Sequence, residues 1–150
     1  MKILLIGFIA LVISVAAVAQ QRPSLAVLVE DIDSDGIRCG LSKSALESIA
    51  TLTLRNNGIQ VGSDFRGPYL AVETTALPNG NTGCVVNITM KIKTIRLPDA
   101  ISIIKPRRDY LEVIFCYQGN LLMGANAGMA KRVNDALENQ IKICLGTLDY

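Results

Sequence analysis

At 150 residues, with a formal charge of +2 and neither histidine nor tryptophan, the chain is short, nearly neutral, and lacks the commonest general base and metal ligand. Serine–histidine and cysteine–histidine nucleophiles and histidine-ligated zinc are thereby excluded. So small a net charge advertises neither a nucleic-acid partner nor an anionic-membrane surface.

The chain opens with Met1-Lys2, an apolar run over residues 3–18, and Ala17-Val18-Ala19, which fits an A-x-A cleavage site. This pattern predicts a secretory signal peptide over residues 1–19 and a mature chain beginning at Gln20. Cleavage removes Lys2 and lowers the formal charge from +2 to +1. No cysteine stands immediately after the cleavage site, so a lipid anchor is not expected, and the membrane would hold the protein only through an uncleaved leader. The remaining residues 20–150 suffice for one globular domain with a core. The localisation expected is periplasmic or secreted.

Four cysteines in an exported chain, Cys39, Cys84, Cys116 and Cys144, point to disulfides rather than to a metal or redox site, because no C-x-x-C pair is present.

Residues 25–29, Leu-Ala-Val-Leu-Val, form a continuous apolar run suited to a strand buried on both faces. Residues 30–36 leave it in an acidic turn. A helix follows, capped by Ser42 or Ser44, with Glu47 placed as in a capping box and Leu41, Ala45, Ile49 and Leu52 on one side. Gly58 suits its left-handed closing residue. A brief strand at 59–61 completes a crossover with its two strands parallel. Residues 69–77 read as a third strand running back down, and 78–83 as a turn.

Residues 84–95 alternate strictly, with Val86, Ile88, Met90 and Ile92 on one side and Asn87, Thr89, Lys91 and Lys93 on the other, a strand with one wet face. After a loop, residues 110–118 read as a fifth strand, Gly119-Asn120 as a two-residue turn, and 121–125 as a return strand. A helix over 129–145 carries Ala130, Val133, Leu137, Ile141 and Cys144 on its apolar stripe. The order is β-α-β-β-β-β-β-α, an α+β fold with a mixed sheet and two helices on one face. In this arrangement Cys84, Cys116 and Cys144 gather at one end and Cys39 at the other. At least one bridge is expected among the first three, with Cys116–Cys144 preferred. Strict alternation puts Cys116 on the side of Glu112.

The landmarks Gly40-Leu41-Ser42, Leu54-Arg55-x-x-Gly58-Ile59-x-Val61 and Pro68-Tyr69-Leu70-x-Val72 resemble those of a loose set of small exported bacterial α/β proteins without assigned activity. The resemblance covers residues 25–95. In organisation the chain is also similar to the amino-terminal domain of TolB and to CsgG-type envelope domains. What this implies is an envelope protein, with no catalytic residues carried over.

Two residue groups stand out as candidate sites. Asp31, Asp33 and Asp35, followed by Gly36, match the first half of a calcium loop, in which alternate carboxylates converge on a hard cation. The second half is missing, since Ser42 stands where a bidentate glutamate is required. The alternative is a solvated acidic turn beside a helix N-terminus. Lys91, Lys93, Arg96, Lys105, Arg107 and Arg108 are the one basic concentration, able to dock an envelope protein or an anionic surface, or else to discourage stray strand pairing. Ile101, Ile103 and Ile104 place apolar side chains in the loop between these strands. No spacing brings two carboxylates together for acid–base work. The function expected is therefore a non-catalytic exported binding module without a cofactor, or alternatively a calcium-binding protein.

Overall fold

The computed structural model describes residues 24–96 and 111–148. The expected leader and Ile101, Ile103 and Ile104 of the expected loop lie outside them. Five strands, β1 (Ser24–Val29), β2 (Gln60–Gly62), β3 (Tyr69–Asn79), β4 (Gly83–Arg96) and β5 (Leu111–Ala125), form one sheet in the order β2-β1-β3-β4-β5. The helices are α1 (Ser34–Arg38), α2 (Lys43–Asn56) and α3 (Met129–Thr147). The mixed α+β architecture is the one the sequence predicts.

The core lies between one sheet face and the helices. Leu70, Val72, Val86, Ile88, Met90 and Ile92 from the sheet meet Leu46, Ala50 and Leu54 of α2 and Val133, Leu137 and Ile141 of α3. The α3 stripe falls as its three- and four-residue spacing requires, except that Gln140 is buried with it. Gln140 Nε2 donates a long 3.4 Å bond to the Ile88 carbonyl, and its Oε1 has no partner among the described residues. In α2 the buried residues are Leu46, Ala50, Thr53 and Leu54. The helix is thus rotated by about one residue, roughly 100°, from the expected Ala45–Ile49–Leu52 stripe, and Leu52 is exposed. The acidic turn contains the short helix α1, N-capped by Asp33, whose Oδ1 accepts from the Gly36 amide at 2.7 Å.

Three expectations are corrected by the sheet. First, β3 runs parallel to β1, with Ala26 opposite both Gly62 of β2 and Tyr69 of β3. A parallel connection ordinarily needs a dozen residues or more. Here β2 is only three residues long and ends level with the start of β3. The chain therefore hops sideways past β1 through residues 63–68 and keeps its direction. Phe65 stands edge-on to Tyr69 at 5.7 Å, beside a small second cluster of Ala26, Tyr69 and Ala71.

Second, Gly119-Asn120 is no turn. Gly119 pairs with Thr89 and Asn120 with Ile88 in the middle of a continuous β5, so the described residues form five strands and not the expected six. The hairpin turn is the one between β3 and β4, where Gly80 takes φ +65°.

Third, a β-bulge in β5 opposite Ile92 and Lys93 inserts one residue between Cys116 and Ile114. The extra residue reverses side-chain parity, so Glu112 faces away from the helices while Cys116 faces α3.

Candidate functional site

The helices occupy one side of the sheet; among the described residues no helix covers its other, open face, which is exposed at the end of Leu77 and Met123 and buried at Ala26, Tyr69 and Ala71. Cross-strand register places the side chains of this open face in rows. Leu77, Val85 and Met123 form one row, and Thr75, Asn87 and Leu121 the next. Below them come Glu73, Thr89 and Gly119, then Ala71, Lys91 and Tyr117, then Tyr69, Lys93 and Ile114. Leu77, Leu121 and Met123 keep 62%, 66% and 60% of their surface in water, which makes this end of the face an exposed apolar patch.

The middle of the face is polar but internally balanced. Lys91 Nζ donates to Glu73 Oε1 at 2.9 Å, and Lys93 Nζ lies 2.5 Å from Glu112 Oε1 and 5.6 Å from the centre of the Tyr69 ring. The Lys93 ammonium, hydrogen-bonded to Glu112, holds that carboxyl below its ordinary value, and the same bond raises Lys93 above its own. Of the six basic residues singled out in the sequence, Lys91 and Lys93 are thus on the open face and already paired. Arg96 closes β4, and Lys105, Arg107 and Arg108 lie outside the described residues.

The signs of these shifts set a pH window. The Glu112 contribution is complete above the ordinary carboxylate value of about 4.3 and disappears as pH falls through the lowered folded value. The Lys93 contribution is complete below about 10.4 and disappears as pH rises through its raised folded value. The difference in Tm between wild type and Glu112→Gln, followed by circular dichroism, should therefore be flat from about pH 6 to pH 9 and close in acid. A difference unchanged below pH 2.5, about two units under the free carboxylate, would show that the ion pair is not its source.

The three aspartates do not converge. Asp31 accepts from Lys43 Nζ at 2.7 Å and is held below its ordinary value by that bond. Asp33 caps α1, and Asp35 pairs with Arg38 at 3.6 Å. Among the described residues no three acidic or cysteine side chains gather as a metal site would require.

Two disulfides join Cys39 to Cys84 and Cys116 to Cys144, and no cysteine is free. The second is the expected bridge, fastening α3 to β5. The first corrects the placement of Cys84, which does not gather with Cys116 and Cys144 but lies at the opposite end of the sheet, beside Cys39. Because β3 ascends, its hairpin to β4 brings Cys84 to the end where the α1–α2 connection carries Cys39. The fully bridged set marks an extracytoplasmic protein, made for an oxidising compartment. No helix among the described residues is long and apolar enough to cross a membrane.

No family model and no curated protein sequence matches the chain. Among solved structures it is similar to a dodecamer of a PelC point variant from Paraburkholderia phytofirmans, at 14% identity and TM-score 0.44 over 82% of this chain and 86% of that one. It is similar to a minor lipoprotein from Acinetobacter baumannii, at 15% identity and TM-score 0.43, covering 83% and 89%. A third is the rare lipoprotein B from Shewanella oneidensis, at 11% identity and TM-score 0.39, covering 83% and 92%. At these values the likeness transfers no activity or partner to this chain.

Proposed function

We propose that the protein is a small exported, non-catalytic binding module of the cell envelope, and that a partner protein docks on the open sheet face. The observation that carries this reading is the apolar patch of Leu77, Val85, Leu121 and Met123, on the side of the sheet that α2 and α3 leave bare. Contiguous apolar patches on a water-facing surface mark interaction sites, because a partner that covers them removes their contact with water. The ion pairs Lys91–Glu73 and Lys93–Glu112 beside the patch supply the polar margin that such interfaces carry. The absence of histidine supports a role without acid–base chemistry.

Site-directed photo-crosslinking in the envelope of the producing cell tests the assignment. A photo-reactive residue at Leu77 or Met123 should give discrete adducts, and one at Glu138 on the outer side of α3 should give none. Equal labelling from both sides of the molecule, or no adduct from the open face, would reject it.

A further inference from the structure

Among the described residues no strand pairs with the outer edge of β5, and this free edge is built to pair with itself. The Asn126 amide donates to the Thr82 carbonyl at 2.8 Å, continuing the β4–β5 register in which Gly83 faces Ala125. Antiparallel pairs alternate between hydrogen-bonded and non-hydrogen-bonded, and this bond fixes the phase. The even-numbered residues of β5 from Cys116 to Gly124 spend their backbone groups on β4. Tyr117, Gly119, Leu121 and Met123 turn their amides and carbonyls outward, to the open edge. Arg132 agrees with this phase, since its Nη1 reaches the Met123 carbonyl at 2.5 Å from α3 and caps that end of the edge. The bulge terminates the regular ladder at the other end. Three consecutive outward-facing positions remain, Tyr117, Gly119 and Leu121.

Edges of this kind are usually blunted with lysine, proline or short length. Here β5 runs for 15 residues, and residues 113–125 contain neither a charged residue nor a proline. We propose that β5 pairs antiparallel with β5 of a second copy of this chain about a two-fold axis at Gly119, joining two five-stranded sheets into one of ten strands. Centring on Gly119 sets Tyr117 of each copy opposite Leu121 of the other and engages all three free positions at once. Centring on Leu121 would call on the Met123 carbonyl, already taken by Arg132, and centring on Tyr117 would run into the bulge. At the axis itself Gly119 puts no side chain between the strands. The Tyr117 hydroxyl lies 3.4 Å from where a Cβ of Gly119 would stand, so its ring lies along the strand towards that gap. Side chains of Tyr117 and Leu121, 55% and 66% exposed, then meet across the axis as an aromatic–aliphatic cross-strand pair, twice. The uncharged edge brings two copies together without like-charge repulsion. This pairing uses the strand edge and does not depend on a partner protein covering the open face.

Sedimentation equilibrium on the exported, disulfide-bonded protein tests it, with Leu121→Pro as the chief variant. Proline deletes an amide that points to the free edge and makes no bond within the sheet, so the monomer's own ladder is untouched. The wild type should reach a dimer with Kd at or below about 100 μM, and Leu121→Pro should weaken it at least tenfold. Tyr117→Lys, which keeps the backbone intact and adds like charge on both sides of the axis, should do the same with an unchanged circular dichroism spectrum. A monomeric wild type at about 1 mM, where even millimolar association shows, would overturn the proposal. So would a dimer that Tyr117→Lys leaves at full strength.

Discussion

Full reduction of the two disulfides should lower Tm by roughly 20–30 °C, or unfold the protein at ambient temperature. The Cys39–Cys84 bridge spans 45 positions and the Cys116–Cys144 bridge 28. On the chain-entropy account, closing loops of these lengths removes about 4 and about 3.6 kcal/mol of freedom from the unfolded chain. The loops do not overlap in sequence, so their effects should add to within a few tenths of a kcal/mol. Their total rivals the whole stability of an ordinary domain, about 5–15 kcal/mol. For a chain of this size each kcal/mol moves Tm by roughly 3–4 °C. Pairwise replacement of Cys39 and Cys84 by alanine, or of Cys116 and Cys144, should each take about half of the total effect. Thermal melts with and without reductant, with thiols counted, provide the measurement. A shift below about 5 °C on complete reduction would mean that the reduced unfolded chain is already as constrained as the bridged one.

The same bridges show why sequence reasoning reached one and missed the other. Cys116–Cys144 needs only that α3 run back along β5, and the 129–145 periodicity makes that helix plain. Cys39–Cys84 depends on the direction of β3, which is decided by a geometric accident of a three-residue strand. A six-residue connection reads as antiparallel when a full-length strand must be retraced. It becomes a parallel hop when β2 ends level with the first residue of β3, and no residue type announces that.

The open face was partly legible in the same sense. Strict alternation from Val85 to Lys93 gave its β4 row and both paired lysines. The apolar end was hidden by Gly119-Asn120, a dipeptide that punctuates chains elsewhere. In this structure Gly119 keeps a negative φ, the left-handed glycines among the described residues being Gly40, Gly58, Gly80 and Gly128. A turn there would have needed backbone angles that the β4 ladder, unbroken from Gly83 past Ile88, does not permit. The bulge is invisible for a related reason. Counting by two from Glu112 puts Cys116 on the open face, and only the one-residue insertion restores it to the side of α3. The α2 stripe was misplaced because Leu46, Ala50 and Leu54 compete with Ala45, Ile49 and Leu52 at the same spacing, and periodicity alone cannot choose between two apolar faces.

If the sheet is truly one-sided, two leucines of equal size should behave in opposite ways. Leu137 is wholly buried between α3 and the sheet, among Ile88, Val133 and Ile141 in the core, whereas Leu121 is 66% exposed on the far side. Truncating a buried leucine loses its transfer free energy and leaves a cavity the neighbours refill only in part, so Leu137→Ala should cost about 3 kcal/mol, within the usual 2–5. Leu121→Ala gives up surface that water already reaches, and should cost no more than about 0.5 kcal/mol in the monomer. Urea unfolding at low protein concentration, with the slope m unchanged between variants, separates the two. Low concentration matters because association through β5 would add to the apparent stability by mass action. Comparable losses from the two substitutions would mean that the open face is covered in the folded monomer. The patch would then be part of a second core, and a partner surface would have to be sought elsewhere.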